Sequence, residues 1–320
     1  MDLTVSVLLG TFILSVLALF VFIASMAKGL FGNGGAAAVQ IFDSDELGAV
    51  EDPAATKDQR GNLQQAMDPS SSASQRSASE VAARLRADQS SSLVVGVCLT
   101  LSVIWLVLAS LAGLIASIKL HAPDWWVSEA WLTFGRIRPI HLNLVAYGWC
   151  SMAGIGVAIW LTPRLLKTEL VGAKYALAGG VLWTLGVTAG TVAIAMGYSD
   201  GLEWLEYPWQ IDILLVAGGA LVGFPLWLTL LQRKVAHLYV SVWYIAAGLL
   251  WFPVLFLVAN WPGLHFGVQQ ATMNWWFAHN VLGLWFTPLG LAAAYYFIPK
   301  VLGKPIHSYK IGRASCRERV

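Results

Sequence analysis

The sequence predicts an all-α integral membrane protein, a polytopic helical bundle, and three observations carry that prediction. Of 320 residues, 57% are hydrophobic and only 12% charged, a balance that soluble globular domains seldom reach. Seven apolar stretches, over residues 3–26, 93–118, 139–161, 174–197, 209–231, 238–260 and 275–298, are each long enough to cross a hydrocarbon core of about 30 Å as helices. The runs are continuous, without period-two alternation, which excludes barrel strands. The net charge of +2 is too small to argue for a nucleic-acid partner. Cys98, Cys150 and Cys316 share no metal-ligand or disulfide spacing.

The first stretch, within residues 1–31, begins with Asp2 rather than a basic residue, and no clear small-residue cleavage site follows it. It reads as an uncleaved N-terminal anchor helix rather than a signal peptide. Residues 32–92 form a polar, mostly disordered linker: GNGGAAA opens it, DSDELGAVED adds acidity, and DPSSSASQRSASE is Ser-rich. Such a segment has too little apolar surface to offset its ordering entropy. Its end, SEVAARLRADQ, is expected to form a short helix. Residues 93–310 hold the remaining six spans as one partial bundle. IGRASCRERV, residues 311–320, breaks abruptly from this composition; it reads as a translated sequencing adapter, so the natural chain is expected to continue.

Orientation follows from the basic residues. With the N-terminus outside, fourteen fall on the inner side: Lys28, Lys57, Arg60, Arg76, Arg84, Arg86, Arg164, Lys167, Lys174, Arg233, Lys234, Lys300, Lys304 and Lys310. Only Lys119, Arg136 and Arg138 fall outside. The linker 32–92 is then cytoplasmic, and the acidic loop SDGLEWLEYPWQID faces out.

Six histidines occur, and His121, His237, His265 and His307 lie at span ends or in loops. His141 in IRPIHLNLVAYGW and His279 in NWWFAHNVLGLWF lie instead a few residues inside spans entering from the outer face. An ionisable group there is costly and faces a bundle interior or a cofactor. Neutral imidazole ligates iron and copper well; hydrogen-bonded packing is the competing role. Both are expected to point inward at a common depth. Gly154, Gly156 and Gly283 would let a flat macrocycle or a neighbouring helix approach closely, and Arg136 and Arg138 could pair with carboxylates at the outer face or simply snorkel.

GRIRPIHLNLVAYGW, YSDGLEWLEYPWQIDI, HLYVSVWYIA and above all NWWFAHNVLGLWFTPLGLAAAYYFIPKVLGKPIHSY resemble the catalytic subunit of cbb3-type cytochrome c oxidases, subunit I of the haem–copper oxidase superfamily. The resemblance runs from about residue 90 to 310 and covers the first six helices of a family with about twelve. It implies that His141 is one axial ligand of low-spin haem b and that His279 is the first of three histidines on the active-site copper. Arg136 and Arg138 match the basic pair at the haem propionates. Glu203 and Glu206 fall in the loop where the family places acids near calcium, at a spacing that differs. The other copper histidines, the high-spin haem b ligand and the active-site tyrosine would follow residue 310, so no catalytic residue is assigned here and the polypeptide as given is expected to be inactive.

The intact enzyme so implied is a respiratory terminal oxidase of the bacterial inner membrane. It takes electrons from cytochrome c through c-haem partner subunits, reduces O2 to water, and couples this to proton translocation. A nitric oxide reductase-like member of the superfamily and a non-catalytic membrane scaffold or transporter are the alternatives. The N-terminal helix followed by AAAVQIFDSDELG also resembles the small one-helix assembly protein encoded beside such oxidases, so a fusion is one reading of residues 1–31 and a family-specific extra helix the other.

Overall fold

The computed structural model describes residues 73–306 continuously, together with Ile41, Phe42 and scattered positions between 10 and 28. Six helices in it are long and apolar enough to span a membrane. They are α1 (Ala73–His121), α2 (Phe134–Leu165), α3 (Ala173–Met196), α4 (Trp209–Leu231), α5 (Val240–Asn260) and α6 (Val268–Leu302). Among the described residues the only extended pairing is an isolated bridge between Leu202 and Leu205. The protein is a polytopic all-α membrane bundle. The N-terminal anchor lies largely outside the described residues.

The linker expected through residue 92 ends twenty residues earlier, because α1 begins at Ala73. The short helix expected over SEVAARLRADQ is the first part of this one rod. No Gly or Pro occurs from Ala73 to Val95, and Ala, Leu, Arg and Gln are strong helix formers, so a polar segment continues a helix that the adjoining apolar run makes certain. The bundle also holds it. Arg164 of α2 donates to Asp88 at 2.6 Å, and Ser90 Oγ accepts the Leu170 N–H at 2.8 Å. A second departure is that Ile41 and Phe42, inside the same linker, are buried.

Close helix contact rests on small residues, as expected where lipid removes the usual hydrophobic drive. α3 and α4 meet backbone to backbone: a Cβ on Gly179 would lie 2.7 Å from Gly218 O, and one on Gly218 would lie 2.9 Å from Gly179 O. α1 meets α2 where Trp105 lies over Gly148 and Leu99 over Gly156. Where α3, α5 and α6 converge, an aromatic core forms: the rings of Phe252 and Trp285 are 4.5 Å apart, and those of Trp183 and Phe252 are 4.8 Å apart.

Candidate functional site

His141 lies in the second turn of α2, half-buried against α1. Its Nδ1 stands 2.8 Å from Ala109 O. A carbonyl oxygen can only accept, so the ring proton must reside on Nδ1, and Nε2 then carries the lone pair. This is the arrangement that second-shell partners impose on metal-bound imidazoles. The seat is Gly113, one turn further along α1, where a Cβ would fall 2.7 Å from the ring's Cε1 and 2.8 Å from Nδ1. Only glycine lets the imidazole reach the Ala109 carbonyl.

Each candidate histidine precedes a π-helical segment by three residues. His141 is followed by Leu144–Cys150 and His279 by Leu282–Phe286. A π turn displaces carbonyls from their usual i→i−4 donors and is frequent at functional sites. Around the first segment, side chains take up the freed oxygens. Trp183 Nε1 donates to Tyr147 O at 2.8 Å, Ser151 Oγ to Ala146 O at 2.8 Å, and Ser102 Oγ to Trp149 O at 3.2 Å. The fully buried Ser151 also accepts from Trp285 Nε1 at 3.0 Å. Trp285 belongs to the second π segment, so one hydroxyl joins the two histidine-bearing helices.

The loop over residues 197–208 covers this end of the bundle and is pinned by the same two helices. From α2, Tyr147 OH donates to Trp204 O at 2.6 Å, and Asn143 Nδ2 donates to Glu206 Oε2 at 2.8 Å. From α6, the Asn274 amide exchanges two bonds with the Glu203 backbone, at 3.2 and 2.8 Å. These bonds hold Trp204 at φ +68°, a conformation bulky side chains rarely adopt. Arg138 donates to Glu203 Oε1 at 2.7 Å. Arg136 donates to Ala195 O at 2.9 Å, which satisfies a terminal carbonyl of α3 and suits the negative end of its dipole. Both arginines therefore have partners within the chain, and Arg138's is already a carboxylate.

Glu206 is buried and holds one oxygen, Oε1, without a partner; Asn143 Oδ1 beside it is likewise unpaired. Burial raises the Glu206 carboxyl above its ordinary range, against the Asn143 hydrogen bond, which lowers it. Tyr207, also buried, has its phenol pushed up by the same desolvation. Glu203 and Glu206 do not converge on one point, since Arg138 engages the first and Asn143 the second.

His279 differs from the expectation of an inward-facing ring. It is exposed on α6, beside buried Phe277 and Ala278. Relative to the asparagines that grip the loop, His141 lies two residues nearer the chain's entry into α2 than Asn143, and His279 five residues beyond Asn274. No three His, Cys, Asp or Glu side chains among the described residues group as a metal site. Of the glycines singled out in the sequence, Gly154 and Gly156 receive Leu289 and Leu99 and serve helix packing, while Gly283 faces open space. His265, a loop residue in the sequence, is buried, with Nε2 3.1 Å from Val258 O.

Four residues of the site were not singled out in the sequence. Asn143 and Asn274 carry a signal, being primary amides within or beside apolar runs. Gly113 and Ser151 carry none, since small residues are common in such helices.

The sequence profile of the family described as "Cytochrome C and Quinol oxidase polypeptide I" matches residues 93–316. The chain is 28% identical over 220 residues to the cbb3-type cytochrome c oxidase subunit CcoN1 of Stutzerimonas stutzeri, covering 66% of this chain and 46% of that protein. It is 30% identical over 223 residues to cytochrome c oxidase subunit 1 of Rhodobacter capsulatus, covering 65% and 42% respectively. With a cytochrome c oxidase subunit 1 homolog of Azorhizobium caulinodans, identity is 30% over 228 residues, covering 66% and 40%. The chain thus spans less than half the length of these relatives. An all-α bundle with an imidazole held in ligand-ready form, matched by this profile over most of its length, belongs to the cytochrome c and quinol oxidase polypeptide I family.

Proposed function

We propose that the protein acts as the catalytic subunit of a cbb3-type respiratory terminal oxidase in the bacterial inner membrane. It delivers electrons from cytochrome c, by way of c-haem subunits, to O2, and couples the reduction to proton translocation. The observation that carries this reading is the seat of His141, where the Ala109 carbonyl keeps the proton on Nδ1 and leaves Nε2 as a lone-pair donor. His141 would hold low-spin haem b through Nε2.

Haem, when bound, supplies the one-electron chemistry; the chain's residues set its conditions. Gly113 and Ala109 fix the ring. The apolar packing of α1 on α2 excludes water, so axial ligand, burial and nearby charge set the reduction potential. Arg138 and Arg136, three and five residues before His141, supply the cationic charge for propionates, with Arg138 shared with Glu203. His279 offers one imidazole toward copper, and the described residues hold no three-donor cluster to complete it. For calcium at the 197–208 loop, the supporting observation is the pair of unpartnered buried oxygens on Glu206 and Asn143. The charge rule puts that loop, and the N-terminus, outside.

Visible difference spectra of the purified full-length complex test the proposal. Reduced haem b bands are expected, with His141→Ala removing the low-spin component. A colourless complex refutes the oxidase reading in favour of a scaffold. Metal analysis separates the nearest relative function: copper in stoichiometric amount supports the oxidase, and non-haem iron in its place supports nitric oxide reduction.

A further inference from the structure

The connection between α1 and α2, residues 122–133, is a run of tight turns. Backbone N–H groups of Trp125, Val127, Glu129 and Leu132 donate to the carbonyls of Ala122, Asp124, Trp126 and Glu129 in turn, and Leu132 is buried in the bundle. Lys119, in the last turn of α1, is also buried and donates to the Trp125 carbonyl. Burying an ammonium is costly; here it holds the turns in place. The Trp125 and Trp126 rings stack with centroids 5.0 Å apart and 7° between their planes. Trp126 is kept at φ +47°, a backbone conformation that bulky side chains rarely adopt.

What this rigid frame presents outward is apolar. Trp126 is 60% exposed, Val127 65% and Trp131 46%, and Leu120 at the end of α1 is 66% exposed. A connection that met only water would need neither the strain nor the buried cation. The helix that leads into the turns identifies what they meet. The uncharged run 93–118 rises about 39 Å at 1.5 Å per residue, more than the roughly 30 Å of a hydrocarbon core. Among the six spans α1 has the smallest buried share, and Val103, Val107, Leu111 and Leu114 are exposed along it. That lipid-facing surface continues through Leu120 into the turns, which places them at the level of the headgroups, where tryptophan is favoured. The charges agree. The three bases at this end, Lys119, Arg136 and Arg138, are each engaged by a carbonyl or carboxylate of the chain itself. The connections at the opposite end carry Lys167, Lys234 and Lys304 and no tryptophan.

We propose that the 122–133 connection is a membrane-interface anchor. Trp126, Val127 and Trp131 seat among the headgroups and upper acyl chains of the phospholipid bilayer and fix the depth of this end of α1. The bilayer is recognised by its polarity gradient rather than by headgroup charge, because Lys119 is spent on shaping the turn. That use also explains why a lysine stands here against the charge rule.

Site-directed spin labelling of the full-length complex in phosphatidylcholine bilayers tests this, with the chain's other cysteines replaced by alanine. A nitroxide at Val127→Cys is compared with one at Leu111→Cys, on the lipid face of α1, and one at Lys234→Cys, in the basic connection between α4 and α5. Power saturation reads collisions with O2, which concentrates in acyl chains, and with a water-soluble nickel chelate. The label at 127 is expected to fall between the two references, with an O2-to-chelate ratio several-fold above that at 234, and to keep it when phosphatidylglycerol is added. Trp126→Ser with Trp131→Ser should move it toward the value at 234. A label at 127 that behaves like the one at 234 overturns the proposal, as does one protected from both reagents, which would mean a protein covers the turns. A ratio unmoved by the two tryptophan substitutions, or one that depends on phosphatidylglycerol, overturns it as well.

Discussion

The surroundings of His141 and His279 share a backbone plan and differ in everything that makes an imidazole useful. Both rings stand three residues before a π-helical segment, and both helices grip the same loop through an asparagine. Yet His141 is seated, with Gly113 beneath it and the Ala109 carbonyl on Nδ1, whereas His279 is exposed. Ligand readiness therefore comes from the neighbour across the helix interface. α2 has α1 to supply that neighbour, and the exposed face of α6 has no such partner among the described residues.

The largest effect should come from removing the seat. Gly113→Leu places carbon where the imidazole now lies and should cost about 3 kcal/mol, the upper end of overpacking penalties. The ring would leave Ala109, and haem b content per protein, measured as the pyridine haemochrome of the full complex, should fall sharply. Gly283→Ala is the matching change near His279. A Cβ there meets nothing within 4 Å, so thermal stability should be unchanged or raised by up to about 1 kcal/mol. Equal losses from the two substitutions would erase the contrast between the sites.

Next comes the link between the helices. Ser151→Ala leaves the Trp285 indole N–H buried without an acceptor, which should cost about 1–3 kcal/mol. Ser151→Thr keeps the hydroxyl and should recover part of it. Denaturation of the purified protein in detergent, followed by tryptophan fluorescence, reads both. An Ala variant as stable as the parent would mean that the two π segments are not coupled through this hydroxyl.

What could be read in the sequence and what could not divides along the same line. The six described spans were legible because a bilayer demands long apolar runs, and His141 and His279 stood out as titratable rings inside such runs. The exposure of His279 was not legible, because it depends on which helices neighbour α6. Gly113 and Ser151 were invisible for a related reason: their roles exist only across contacts between distant parts of the chain, 134 residues apart for Ser151 and Trp285. The start of α1 was missed because composition marked residues 73–92 as polar, while the fold uses their helix propensity and ties them down through Asp88 and Ser90. Ile41 and Phe42 were hidden in the same way, as two apolar residues diluted in an acidic segment.

The loop that both helices grip allows a finer test. Because burial raises the folded-state pKa of Glu206 above its ordinary value, the folded chain binds more protons than the unfolded chain between those two pKa values. Stability should therefore be greatest below the ordinary carboxyl range and decline as pH rises through the raised value. Glu206→Gln keeps an acceptor for Asn143 and removes this decline, so its melting temperature at neutral pH should exceed the parent's, with the two converging in acid. Calcium sharpens the comparison: an ion held by Glu206 Oε1 and Asn143 Oδ1 would raise the parent's melting temperature and leave the variant's unchanged.

The smallest effect belongs to Arg138, although it is the residue nearest His141 with a full charge pair. Its side chain is 42% exposed and that of Glu203 is 28% exposed, so water and salt screen the pair, and Arg138→Gln should cost only about 0.2–1 kcal/mol. Two asparagine bonds still hold Glu203's backbone, so the loop stays in place. The substitution should nevertheless lower the low-spin haem midpoint in the full complex, because a positive charge near a haem favours the reduced state. Redox titration and thermal denaturation of the same variant together separate the two roles. A large stability loss with an unmoved midpoint would make Arg138 a strut for the loop, and a lowered midpoint with little stability loss would make it part of the His141 side of the contrast, where the surroundings of the ring and not the ring alone set the chemistry.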